Sequence, residues 1–127
     1  MGCFYTGFDY KNRKNGYFKI GETEHDTPSS RVSQISRDDA FMWLRYIQIP
    51  GATKAELLYV EAYTRLKMSY CYSHVQNDHF LYSINSDKYS QALEIAAQAI
   101  TYAKEACDQL NLKYIEHYNT NAVRKAK

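Results

Sequence analysis

Cys3-Phe4-Tyr5-Thr6-Gly7-Phe8 and, after a polar link, Gly16-Tyr17-Phe18-Lys19-Ile20-Gly21-Glu22-Thr23 decide the fold. Within them residues 3–8 and 17–21 are aromatic and compact, which is the composition of short strands. Between them Asp9 to Gly16 (DYKNRKNG) is rich in Asn, Lys and Gly, the chemistry of a turn. The two strands are therefore expected to pair as an antiparallel hairpin with a long polar loop. A chain that begins this way is an α+β domain and not a doubly wound one.

Outward from the hairpin, Glu22 to Asp26 reads as a loop. Thr27-Pro28 then offers a helix start, with Thr as N-cap and Pro at the first helical position. That helix is expected to end near Asp38, with Arg31 next to the inward-facing Val32 and Ile35. Phe41 to Ile49 (FMWLRYIQI) is the most strand-like run, and Pro50-Gly51 closes it with a turn. Thr53-Lys54-Ala55-Glu56 is a capping box, so a helix is expected to Met68 with Leu57, Val60, Thr64 and Met68 on one face. Residues 70–84 read as loop with a short strand near Phe80 to Ser83. Asn85-Ser86-Asp87 caps a last helix whose stripe is Leu93, Ala96, Ala97, Ile100, Ala103, Cys107 and Leu110. Its small residues suit close packing on a sheet or against a second copy in a homodimer. The expected architecture is a small antiparallel sheet of about three strands flanked by helices. Residues 1–85 form its core, 86–117 a C-terminal helical extension on the same domain, and 118–127 a basic tail.

The 127 residues suffice for one domain with a real core. The 13 tyrosines suit half-exposed, binding-competent surfaces, or equally a small core in which Tyr replaces Phe and Leu. A net charge of +2 does not by itself announce nucleic acid. Positive charge does gather at the ends, as Lys11, Arg13, Lys14 and Lys19 near the start and Lys113, Arg124, Lys125 and Lys127 near the finish. Cys3, Cys71 and Cys107 are odd in number and far apart, which points to reduced thiols and a cytoplasmic protein. No leader-like apolar stretch and no run near the ~20 apolar residues of a membrane span is present, so no membrane partner is expected.

The order of hairpin, Thr23, Arg31 on the first helix, Glu61 on the second and an aromatic at Phe80 resembles the GIY-YIG endonuclease superfamily. It is most similar to a small phage-type branch whose second motif reads Lys-Ile-Gly, here Lys19-Ile20-Gly21. The likeness covers roughly residues 3–83. It implies a DNA-processing protein that hydrolyses phosphodiesters with one Mg²⁺ or Mn²⁺, DNA being the expected partner before RNA. Tyr5 takes the first tyrosine position, Arg31 the phosphate-binding arginine and Glu61 the metal ligand. The chemistry is coherent, because a metal offsets charge on the leaving oxygen, a guanidinium forks onto phosphate, and a phenol in a cationic site helps activate water.

Two departures from the family pattern matter. Lys19 stands at the second tyrosine position, with Tyr17 two residues earlier on the same strand face. The first motif reads Phe-Tyr-Thr-Gly. Lysine binds phosphate as a point charge but positions water poorly. The alternative is therefore a catalytically impaired nucleic-acid binder using Lys11, Arg13, Lys14, Lys19 and Arg31. A third reading is a phage accessory protein that binds a host protein, since the chain has no room for a separate DNA-recognition domain.

Each residue also has a plainer role. Tyr5 and Tyr17 suit ordinary packing across a hairpin. Arg31 and Lys19 suit solvated charges, and Glu61 suits a salt bridge with Arg65 four residues on. His25, in the loop after the second strand, suits a proton carrier or a solvated side chain. Cys71-x-x-His74 with His79 has zinc-compatible residue types but no second paired half, so polar loop groups are the better reading.

Overall fold

The computed structural model describes residues 2–9, 16–28, 41–72, 74–76, 79–82 and 88–119. In chain order these form β1 (Cys3–Asp9), β2 (Gly16–Thr23), β3 (Phe41–Gln48), α1 (Lys54–Ser69), β4 (His74–Gln76), β5 (His79–Tyr82), α2 (Lys88–Gln109) and β6 (Ile115–Tyr118). The strands make one sheet in the order β4-β5-β2-β1-β3-β6, with every neighbouring pair antiparallel. The α+β class and the opening hairpin stand as the sequence implied. The sheet is larger than the expected three or so strands, because β4, β5 and β6 extend both edges. The helix expected over 27–38 lies outside the described residues beyond Pro28, and residues 24–28 are bends.

Strand alternation divides the sheet into two faces. Phe4, Phe18, Ile20, Leu44 and Ile47 lie on one face and pack in a single cluster against Leu57, Val60 and Met68 of α1 and the buried stripe of α2. Burying each such aromatic or branched side chain contributes about 1.5–3 kcal/mol. Cys3, Tyr5 and Tyr46 project from the opposite face and form their own small cluster with Trp43. A bulge in β3 at Thr6/Gly7 sets both Leu44 and Arg45 against Thr6. The Thr6 hydroxyl holds the irregularity by donating to the Arg45 carbonyl at 2.9 Å and accepting from its N–H at 3.2 Å.

Local chemistry starts and stops the helices as the sequence suggests. Ile49-Pro50-Gly51-Ala52 is a tight turn closed by Ala52 N–H on the Ile49 carbonyl at 3.2 Å. Gly51 takes the positive φ of 76° that the second turn position needs. The Thr53/Glu56 capping box is formed in both directions, at 2.9 and 3.2 Å. At the far end of α2, Asn111 adopts φ 56° while Leu112 N–H reaches Cys107 O and Asn111 N–H reaches Asp108 O. This is a Schellman stop, and it turns the chain directly into β6.

β6 corrects the expected organisation. Residues 115–118 are a strand paired with β3, not the end of a helical extension or the start of a free tail. Of the piece beyond residue 85, residues 115–118 join the sheet and α2 packs on it. The buried stripe of α2 also includes Ala92, Ile95, Ala99 and Ala106, while Leu93, Ala97 and Leu110 are only half-buried. α2 packs on both the sheet and α1, so a wider arc is covered than a single stripe supplies. Its small-residue face is thus used within the chain and is not left for a homodimer.

Candidate functional site

The hairpin register brings together the two positions that the resemblance singled out. Tyr5 lies opposite Gly21, and Lys19 lies opposite Gly7. Lys19 alternates with Phe18 and Ile20, which face the helices, so it shares the other face with Tyr5. Cross-strand rows on this face run Lys19–Gly7–Trp43, Gly21–Tyr5–Tyr46–His117 and Thr23–Cys3–Gln48–Ile115. Tyr5 is buried, and Lys19 is only 9% exposed.

Gly21 has a steric reason to be glycine. A Cβ there would stand 2.5 Å from the Tyr5 hydroxyl and 2.6 Å from its Cζ. The Tyr5 ring therefore lies across the bare Cα of Gly21, and any side chain would push it away. The tyrosine of the first motif and the glycine of the second are one packing unit.

Around this unit stand groups that sequence reading did not single out. Tyr46 stacks on His117 with centroids 4.7 Å apart, and Trp43 meets Tyr46 edge-on at 5.1 Å. His117 Nε2 is 3.1 Å from Gln48 Oε1. Gln48 also donates through Nε2 to the Asp26 carbonyl at 3.0 Å. That bond draws the segment holding His25 to the Cys3 end of the same face. His25 itself is exposed, with its N–H on Thr23 Oγ1 at 3.3 Å. The one signal that could have flagged His117 is the local gathering of the rings Tyr114, His117 and Tyr118, which reads equally as a polar linker.

Burial decides the chemistry of the ionisable groups here. Burial first, then the charges of Asp26 and Glu22, pushes the Cys3 thiol up to about 12. Burial, then the neighbouring Cys3, also raises the Tyr46 phenol above its ordinary value. Both stay protonated near neutral pH, so neither is a ready nucleophile.

Glu61 is not part of this face. It sits on α1, whose buried side Leu57–Val60–Thr64–Met68 packs on the Phe4/Phe18/Ile20 face of the sheet. Its Oε1 is 3.5 Å from Arg65 Nη1, the i,i+4 pair that the sequence offered as the plainer explanation. Arg31, Lys11, Arg13 and Lys14 lie outside the described residues, and Tyr17 is placed through its backbone only, opposite Leu81. Cys71 Sγ lies 3.6 Å from Gln98 Nε2 and 3.8 Å from the Tyr102 hydroxyl, a contact set of amide and phenol. Among the described residues no three of His, Cys, Asp and Glu gather as a metal site. Among the described residues, the polar groups placed on this face around Tyr5 are the Lys19 amine, the Tyr46 phenol, the Cys3 thiol and the Gln48 amide, with the charges of Asp26 and Glu22 acting on Cys3.

No family model, no curated protein and no solved structure matches the chain. Among the described residues, no helix is long and apolar enough to cross a membrane.

Proposed function

We propose that this chain is a nucleic-acid-binding protein on a GIY-YIG-like hairpin, which engages the DNA backbone through Lys19 and not through metal-assisted hydrolysis. The observation that carries this reading is the pairing of Tyr5 over Gly21 with Lys19 on the same face, while Glu61 sits on the opposite layer and is bound to Arg65. Lysine offers phosphate a compact charge. Lys11, Arg13 and Lys14 lie between β1 and β2 in the sequence and would add phosphate contacts. Arg31 would add a planar fork.

The test is duplex DNA binding by fluorescence anisotropy across a salt series. The expected affinity falls linearly on logarithmic axes, and Lys19→Gln reduces the slope by about 0.9, the loss of one phosphate contact. Binding that is absent at low salt overturns the proposal. Incubation of plasmid with Mg²⁺ or Mn²⁺ is the companion assay. Cleavage by the wild type that disappears in Glu61→Ala restores the hydrolytic reading in its place.

A further inference from the structure

The helix α1 is apolar on two sides. Its inner side, Leu57, Val60, Thr64 and Met68, is buried in the core. At 100° per residue its outer side presents Ala55, Leu58, Tyr59, Ala62, Leu66, Ser69 and, just past its end, Tyr70, an arc of about 120° that contains no charged residue. Leu58 is 48% exposed, Leu66 55% and Tyr70 73%. The flanking charges Lys54, Glu61 and Arg65 stand along one border, and Glu56 and Lys67 along the other.

This outer face is self-complementary about Ala62. Two copies crossing antiparallel at that position set Leu58 against the second copy's Leu66, Ala55 against Ser69, and Ala62 against itself. A small residue at the crossing point permits close approach. The two-fold sets each charged border against its own copy in reverse, which brings Arg65 near the second copy's Glu61 and Glu56 near its Lys67. A parallel pairing would instead bring Arg65 beside the second copy's Lys67, and would align the two helix dipoles. An isologous two-fold contact is what a surface matching its own reverse defines.

We propose that the outer face of α1 is the interface of a homodimer, with a second copy of this chain as its occupant, the helices crossing antiparallel at Ala62. The dimer leaves the Tyr5–Lys19 face of each copy free, since that face lies on the far side of the sheet from α1. A single helix face buries less than the roughly 800 Å² per partner of a standard interface, so the association is concentration-dependent.

Sedimentation velocity of the full chain over the micromolar range tests it. The expected result is a monomer–dimer equilibrium whose dissociation constant rises at least about tenfold in Leu66→Glu and in Leu58→Glu, where a charge would be buried against leucine. Both positions are exposed, so circular dichroism melts should match the wild type and separate loss of dimer from loss of fold. In a Cys71→Ser background, Ala62→Cys should join two copies through a short bismaleimide. A wild type that stays monomeric throughout overturns the proposal. So does a dimer that survives Leu66→Glu or that fails to cross-link at position 62.

Discussion

The two faces of the sheet are built on different rules. The helix-side face is mainly a row of aliphatic and aromatic side chains, which α1 and α2 close by packing, with the Lys54–Glu22 and Lys104–Glu116 ion pairs at its borders. The other face alternates bulk with its absence: Tyr5 lies on Gly21, Lys19 faces Gly7, and Tyr46 is wedged between Trp43 and His117. One face tolerates any apolar residue of suitable volume. The other depends on particular atoms, since Gly21 admits the Tyr5 ring and its polar tips need partners. The difference teaches that the first face makes the domain stable and the second gives it a surface with chemistry.

The strongest way to break this contrast is to ask whether the buried thiol on each face, Cys3 and Cys107, is equally closed to solvent. Cys3 lies on the Tyr5 face and Cys107 on the helix side, and burial drives each thiol up to about 12. Cys71 is exposed. At pH 8 a thiol with a pKa near 12 holds about three decades less thiolate than an ordinary one near 8.5. Native alkylation followed by mass spectrometry should therefore modify Cys71 alone, with Cys3 and Cys107 following only in denaturant. Rapid labelling of Cys3 beside a silent Cys107 would show that the Tyr5 face is open in solution.

Substitutions sharpen the same contrast. On the helix side, Phe18→Ala should cost about 3–5 kcal/mol through lost burial and a cavity. On the other face, Gly21→Ala adds one methyl where Tyr5 already lies, and should cost about 1–3 kcal/mol through overpacking. The decisive comparison is a double-mutant cycle in urea. In a Tyr5→Ala background the Gly21→Ala cost should largely vanish, because the obstructing ring is gone. Equal costs in both backgrounds would mean that the ring and the glycine do not act as a unit.

How much of this was legible depended on whether the determinant was local. The hairpin, β3, the Pro50-Gly51 turn and the Thr53/Glu56 box are written in neighbouring residues, and each formed where the sequence placed it. β6 was not legible. Its four residues are only partly covered, and it is a strand because β3 offers Ile47 and Gln48 as partners far away in the chain. The Schellman stop at Asn111 was a local signal that could have warned of a reversal there. The meeting of Tyr5 with Gly21 and Lys19 followed from hairpin register alone. The place of Glu61 did not, because its position beside the apolar stripe of α1 says nothing about which face of the sheet that stripe will cover. Sequence spacing fixed the helix face and left the layer open.

β6 also offers the smallest and most specific test, because it is the strand on which the two faces are tied together. His117 points to the Tyr5 side, while Glu116 turns to the helix side and meets Lys104 of α2 at 2.5 Å and Arg45 at 3.9 Å. Partial burial works against the Glu116 carboxylate. The hydrogen bonds from Lys104 and Tyr118 and the charges of Lys104 and Arg45 outweigh it, so its pKa lies below the ordinary carboxylate range. A depressed folded-state pKa contributes stability above the unfolded value of about 4.3, and that stability is lost as pH falls through the folded value. The pair is partly solvated, so Lys104→Met should cost no more than about 1 kcal/mol at neutral pH. As pH falls through that lowered folded-state value, wild type and variant should converge in urea midpoints, because protonated Glu116 no longer distinguishes them. His117→Ala, on the opposite face, should lower stability without that convergence. If both variants show the same acid dependence, the two sides of β6 are not electrostatically separate, and the contrast between the faces ends at β3.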